Sequence, residues 1–229
     1  MDRLWPKLCG LAFCAALTHA GESHSDGGVQ AYRAMGVEPK DVLSGTVLTS
    51  RVVPGGDKQI VAMASFLTGR QDEASAVGVR LCVFRRDGEQ LVQVYRRDLA
   101  EENGGFVGEG NVELIDFDQD GVNEIVLSFK SFKEATIEER RGEVLLYDES
   151  GFKPVWSGSL SYDGTRAVRK LAEDRRDRFT REIDLPATLG TRGVTLIFNK
   201  KVTAIAGERL AQPKVVRETF PLKPQGSGG

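Results

Sequence analysis

The stretch Asp116-Phe117-Asp118-Gln119-Asp120-Gly121-Val122-Asn123-Glu124 runs directly into Ile125-Val126-Leu127-Ser128-Phe129, and its reading decides the fold. Three aspartates at every second position, a glycine, and a fourth carboxylate at the ninth position gather hard oxygen donors on one short loop. Left bare, those charges repel one another strongly. A calcium ion removes the repulsion, since it takes roughly six to eight oxygen ligands from carboxylates, carbonyls and water. Gly121 allows the sharp turn that such a loop needs. An EF-hand loop opens in the same way, but it requires a bidentate carboxylate at its twelfth position, where this chain has Leu127. The flanks 112–115 and 125–127 are β-branched and aliphatic, so the loop joins two strands and not two helices. An acidic hairpin turn without an ion is the alternative reading, because Asp and Gly are common turn residues.

Outward from this loop the chain reads as short strands separated by turn signals. Expected strands cover 45–53, 59–67, 77–86, 90–98, 111–117, 124–132, 142–148 and 152–162. The Asp87-Gly88 dipeptide marks a hairpin between the third and fourth. Further strand-like runs lie at 179–185, 193–199, 202–206 and 214–222. Residues 165–177 break the pattern, with acidic and basic side chains alternating as on a solvated helix or crossing loop. An internal repeat emerges when the two halves are overlaid. Glu124-Ile125-Val126 falls on Gln59-Ile60-Val61 and Gly121 on Gly56, a shift of 65. Leu145 to Tyr147 falls on Cys82 to Phe84, a shift of 63. On the first register Asp116, Asp118 and Asp120 correspond to Arg51, Val53 and Gly55, so the first copy has lost its carboxylates.

Each copy contains a strand entering the loop, a strand leaving it and a hairpin, which is the layout of a propeller blade. The loop and its setting resemble the FG-GAP/VCBS repeat of integrin-type β-propellers and bacterial surface proteins. The resemblance covers about 112–160, extends more weakly over 45–99, and stops there. It implies calcium as cofactor, held by the side chains of Asp116, Asp118, Asp120 and Glu124 and by the Val122 carbonyl. The family usually has Asp at the last of these positions, so Glu124 is a departure. Closed propellers usually need about four blades or more. The expected fold is therefore all-β: four-stranded antiparallel blade-like repeats at 45–99 and 111–162, room for a poorly matching third copy at 178–222, and a partial or irregular propeller.

Composition sets the setting. The chain has 229 residues, 40% apolar and 28% charged, with a formal net charge of −2. That is ordinary for a globular protein and gives no reason to expect nucleic acid as a partner. Residues 1–20 read as an export signal: Arg3 and Lys7, an apolar run at 8–17, then Thr18-His19-Ala20 as a small-residue cleavage site. The rival is a lipoprotein signal at Leu11-Ala12-Phe13-Cys14, where Phe13 fits poorly. No run is long enough to span a bilayer as a helix. Residues 21–41 read as a flexible leader with a short helical turn at 29–35, 42–222 as a single β-rich domain, and 223–229 as a disordered tail.

Cleavage after Ala20 leaves Cys82 and His24 as the sole cysteine and histidine. An intrachain disulfide, a histidine-based zinc site and a Ser/His/Asp or Cys/His catalytic site are then all excluded. The expectation is an exported, periplasmic or secreted β-repeat protein that is not an enzyme. Its calcium is structural, and its partner is a protein or glycan of the cell envelope. A secreted hydrolase using Asp or Glu side chains with the metal is the alternative.

Overall fold

The computed structural model describes residues 26–68, 77–99, 107–131, 137–165, 176–183, 188–190 and 193–221. The expected signal, the tail and most of the charged segment at 165–177 lie outside them. Helix α1 (Asp26–Ala34) and a 3-10 turn (Pro39–Asp41) precede an all-β domain. Strands β1 (Val42–Ser50), β2 (Gln59–Leu67), β3 (Val77–Asp87) and β4 (Gln90–Asp98) form an antiparallel sheet in chain order. Strands β5 (Val107–Ile115), β6 (Glu124–Ser131), β7 (Glu138–Asp148) and β8 (Gly151–Asp163) repeat that arrangement. The second sheet then continues. β9 (Arg178–Ile183) pairs with the end of β8, and β11 (Gly193–Ile205) pairs with β9. On β11, β10 (Thr188–Gly190) and β12 (Glu208–Pro221) complete the sheet.

Alternation along the strands fixes how the layers meet, because successive side chains point to opposite faces. From β2 and β3, Val61, Met63, Leu81 and Val83 face Ile125, Leu127, Phe129 and Leu145 of β6 and β7. The two four-stranded units thus share one core. The opposite face of the first sheet, with Ala62, Ala64, Cys82 and Phe84, is covered by Ala31, Tyr32 and Met35. The opposite face of the second, with Val126, Val144 and Trp156, is covered by Leu196 and Phe198 of β11. The Trp156 ring stacks on Phe198 at 4.5 Å between centroids, and Phe220 of β12 meets Trp156 edge-on at 6.1 Å. β2 and β6 are consequently buried on both faces, which explains their continuous apolar runs.

The stack is thus closed at each end by other means than further blades. A helix covers one outer face and the curled C-terminal strands cover the other, and no closed ring forms among the described residues. The partial, blade-like architecture read from the sequence holds. One part of that reading needs correction: residues 26–41 are not a loose leader. Ala31, Tyr32 and Met35 are at most 1% exposed, because the back of the first sheet offers an apolar surface that α1 and the residues just after it, Met35 and Val37, cover. Close approach also shapes β5. A Cβ on Gly110 would lie 2.5 Å from Met63 and 2.6 Å from Val79, so a bulge between Gly108 and Asn111 presses bare backbone against the first sheet. There the Gly110 N–H donates to Ser65 Oγ at 2.9 Å.

Candidate metal centre

The acidic loop spans the gap from Ile115, the last residue of β5, to Glu124, the first of β6. Alternation continues into it. Phe117 turns inward and is 2% exposed in the core with Val126, Val144 and Trp156, while Asp116, Asp118 and Asp120 stay nearer solvent. Gln119 and Gly121 adopt left-handed backbone with φ of 60° and 84°, a conformation that suits glycine at 121. These turns fold the loop on itself. Asp116 accepts from the N–H groups of Asp120 at 3.1 Å and Gly121 at 3.0 Å. Asp120 accepts from the Val122 N–H at 2.7 Å.

The result is convergence of charge. One carboxylate oxygen from each of Asp116, Asp118 and Asp120 lies within 4.8 Å of the others. Burial, followed by repulsion from Asp120 and Asp116, raises the Asp118 carboxyl above its ordinary range, against the lowering effect of the Asp120 N–H. None of the three has an ion-pair partner among the described residues. The donor set is all hard oxygen, which fits calcium or magnesium and not a metal that favours sulfur or imidazole.

Glu124 sits apart from this trio. It is 6% exposed, and its Oε2 accepts from the Phe117 N–H at 2.8 Å. Burial pushes its carboxyl up to about 7, with the Asp118 and Asp120 charges adding and the Phe117 hydrogen bond opposing. Of Val122, the other expected ligand residue, the recorded contact is its N–H on Asp120. The structure therefore brings three of the five expected residues together through their carboxylates, while Glu124 is bound to the Phe117 N–H.

The first copy shows what the position of Glu124 does. There the Val52 N–H donates to Gln59 Oε1 at 2.9 Å, which is the Phe117–Glu124 bond displaced by 65 residues. The Gln59 amide also donates to the Asp57 carbonyl, and Asp57 is the counterpart of Val122. In the copy that lacks the three converging aspartates, an amide N–H thus meets the carbonyl that the resemblance assigns to the metal in the other copy.

Sequence reasoning missed Asn123. Its N–H donates to the Arg51 carbonyl at 2.7 Å, and its side chain donates to Ser50 Oγ at 2.9 Å. The acidic loop is thereby tied to the equivalent loop of the first sheet. The only available signal was its polar side chain between the glycine turn and a buried strand. Family models, curated proteins and solved structures give no match to this chain.

Proposed function

We propose that this chain is a calcium-stapled β-repeat protein of FG-GAP/VCBS type, exported by the segment at 1–20, with a binding or scaffolding role at the cell envelope. The observation that carries the reading is the position of the three converging carboxylates. They sit on the loop whose end, Asn123, bonds to Ser50 and Arg51 of the other sheet. A cation that fixes this loop also fixes how the two sheets face each other. Asp116, Asp118 and Asp120 would hold it, with Glu124 and the Val122 carbonyl on its inner side, and its contribution is charge neutralisation.

Thermal unfolding tests the reading. Extracellular calcium sites bind in the range of roughly 0.1–1 mM. Saturating calcium at about a hundred times Kd adds about 2.7 kcal/mol, which for a chain of this size raises Tm by about 5–10 °C. Chelator should reverse the rise. A melting curve indifferent to both removes calcium from the account.

One observation favours the hydrolase alternative. A cleft at the far end of the second sheet contains Glu138, Glu139 and Asp163, none of them on the acidic loop. Asp163 is paired with Arg178 at 3.1 Å and accepts from the Thr165 hydroxyl at 2.6 Å, so it is already engaged within the chain. Release of reducing ends from acidic or neutral oligosaccharides, lost in Glu138→Gln, would establish the hydrolase; no release is expected.

A further inference from the structure

The cleft itself carries an inference that deepens the binding role, resting on that part of the reading and not on calcium. Its volume is about 1100 Å³, at the upper end of the range of roughly 300–1,000 Å³ for small-molecule sites. Strand register builds it. Lys130 of β6 lies opposite Arg140 of β7, Arg140 opposite Ser161 of β8, Ser161 opposite Thr180 of β9, and Thr180 opposite Lys201 of β11. All five line the cleft. Five adjacent strands make a row about 19 Å long, with cations at both ends and hydroxyls between them. Two residues along, Glu138, Asp163 and Arg178 form a parallel row on the same face.

The charges in this cleft are unevenly partnered. Lys130 pairs with Glu109, and Arg178 with Asp163. Among the described residues the Arg140 side chain reaches the Glu109 carbonyl at 3.3 Å. Lys201 and Arg209 have no partner among the described residues, and both are exposed. The lining carries five basic and three acidic side chains in a chain whose net charge is −2.

We infer that the cleft binds an acidic oligosaccharide, its carboxylate or sulfate groups on Arg140, Lys201 and Arg209 and its hydroxyls on the serine, threonine and carboxylate side chains between them. The mixture of charges selects this class. Glu138 and Asp163 can accept hydrogen bonds from sugar hydroxyls, which the phosphodiester backbone of DNA does not offer. Nucleic acid would also want a free aromatic face for its bases. The two aromatic rings here are stacked on each other, Tyr162 on Phe179 at 5.7 Å, with Lys200 and Arg181 also over Phe179.

Calorimetric titration of the full chain tests this with four probes: a galacturonate oligomer, a heparin-derived oligomer, a neutral maltooligosaccharide, and oligo-dT of matched charge. Binding of the galacturonate or heparin oligomer is expected, and which of them binds distinguishes carboxylate from sulfate recognition. The double variant Lys201→Glu/Arg209→Glu, both positions exposed, should lose about tenfold or more in affinity with Tm unchanged. Binding of neither acidic oligomer overturns the proposal, as does equal affinity in the folded double variant or tighter binding of oligo-dT. The cleft lies roughly 20 Å along β6 from the acidic loop. A protein that ignores calcium yet binds the oligomers loses only the metal reading, and the reverse result loses only the cleft.

Discussion

The loops at 51–58 and 116–123 share one anchoring hydrogen bond and are satisfied by opposite chemistry. Both turn inward on a buried residue, Val52 or Phe117, whose N–H is taken by the side chain that opens the next strand. In the first copy that side chain is Gln59, an amide that accepts with its oxygen and donates with its nitrogen. In the second it is Glu124, which can only accept when ionised, with three further carboxylates on the adjoining loop. The first loop is complete within the chain. The second carries a surplus of acceptors and negative charge that an external cation offsets. Loss of the carboxylates and gain of the amide therefore go together as a single exchange.

The most damaging way to break the comparison is Asp118→Ala. Removing one of the three converging carboxylates should abolish the calcium-dependent gain of about 2.7 kcal/mol. In chelator the same variant should be as stable as the parent or slightly more so, because burial and then its acidic neighbours Asp120 and Asp116 already raise the Asp118 carboxyl. The matched change in the first copy, Val53→Asp, should confer no calcium response, since Arg51 and Gly55 still supply no carboxylate. Paired melting curves with calcium and chelator read both outcomes. A calcium response retained in Asp118→Ala would show that the ion, if bound, sits elsewhere.

The exchange hypothesis is sharpened by Glu124→Gln, which gives the second loop the first loop's chemistry. The amide oxygen keeps the Phe117 bond, and the amide nitrogen takes the role that Gln59 plays toward Asp57. The consequence for pH has a definite sign. Burial holds the folded, metal-free Glu124 up to about 7, whereas its ordinary value is 4.5. Between those values the unfolded chain has already released the proton that the folded chain keeps. Stability is thus fully present below about 4.5 and falls as pH rises through about 7. Calcium favours the ionised carboxylate, so its stabilising effect grows over the same window. Glu124→Gln should flatten the chelator profile, gain on the order of 1–2 kcal/mol at pH 8, and lose the calcium response. Denaturant melts from pH 4.5 to 8 check this, and a falling profile that survives in the variant would assign the slope to another group.

Legibility followed the range of the forces involved. Strand β2 occupies the span expected from its apolar run, and the Asp87-Gly88 turn closes the β3–β4 hairpin as expected, because alternation and turn chemistry act over a few residues. The carboxylate trio was equally legible, since its spacing is local. A helical turn was expected at 29–35, but the burial of α1 was not legible, because it depends on the back of a sheet formed later in the chain. The course of β9 to β12 was also hidden. Three residue pairs join β9 to β8, and Leu196 and Phe198 find their partners only when the sheet curls over Trp156. The cleft arises from register across five strands, which no single segment encodes.

The smallest expected effect probes the joint between the loops. Asn123→Ala removes the bond to Ser50 Oγ and the longer one to the Arg51 carbonyl, but leaves the backbone bond from 123 to Arg51 intact. Loss of a partly buried side-chain hydrogen bond costs about 0.5–1.5 kcal/mol. That figure alone would be unremarkable for any polar residue near the surface. What identifies the joint is its coupling to the ion. If calcium stabilises by ordering a loop that grips the first sheet, weakening the grip should lower the calcium increment as well as the baseline. If calcium only relieves repulsion among the three aspartates, the increment should be untouched and the two effects should add. A cycle of parent and Asn123→Ala, each melted with calcium and with chelator, separates these cases. Ser50→Ala repeats it from the partner's side, where the same bond is lost without altering the acidic loop. Additivity in both cycles would confine calcium to its own loop, and a shared loss of increment would make the ion the fastener between the two sheets.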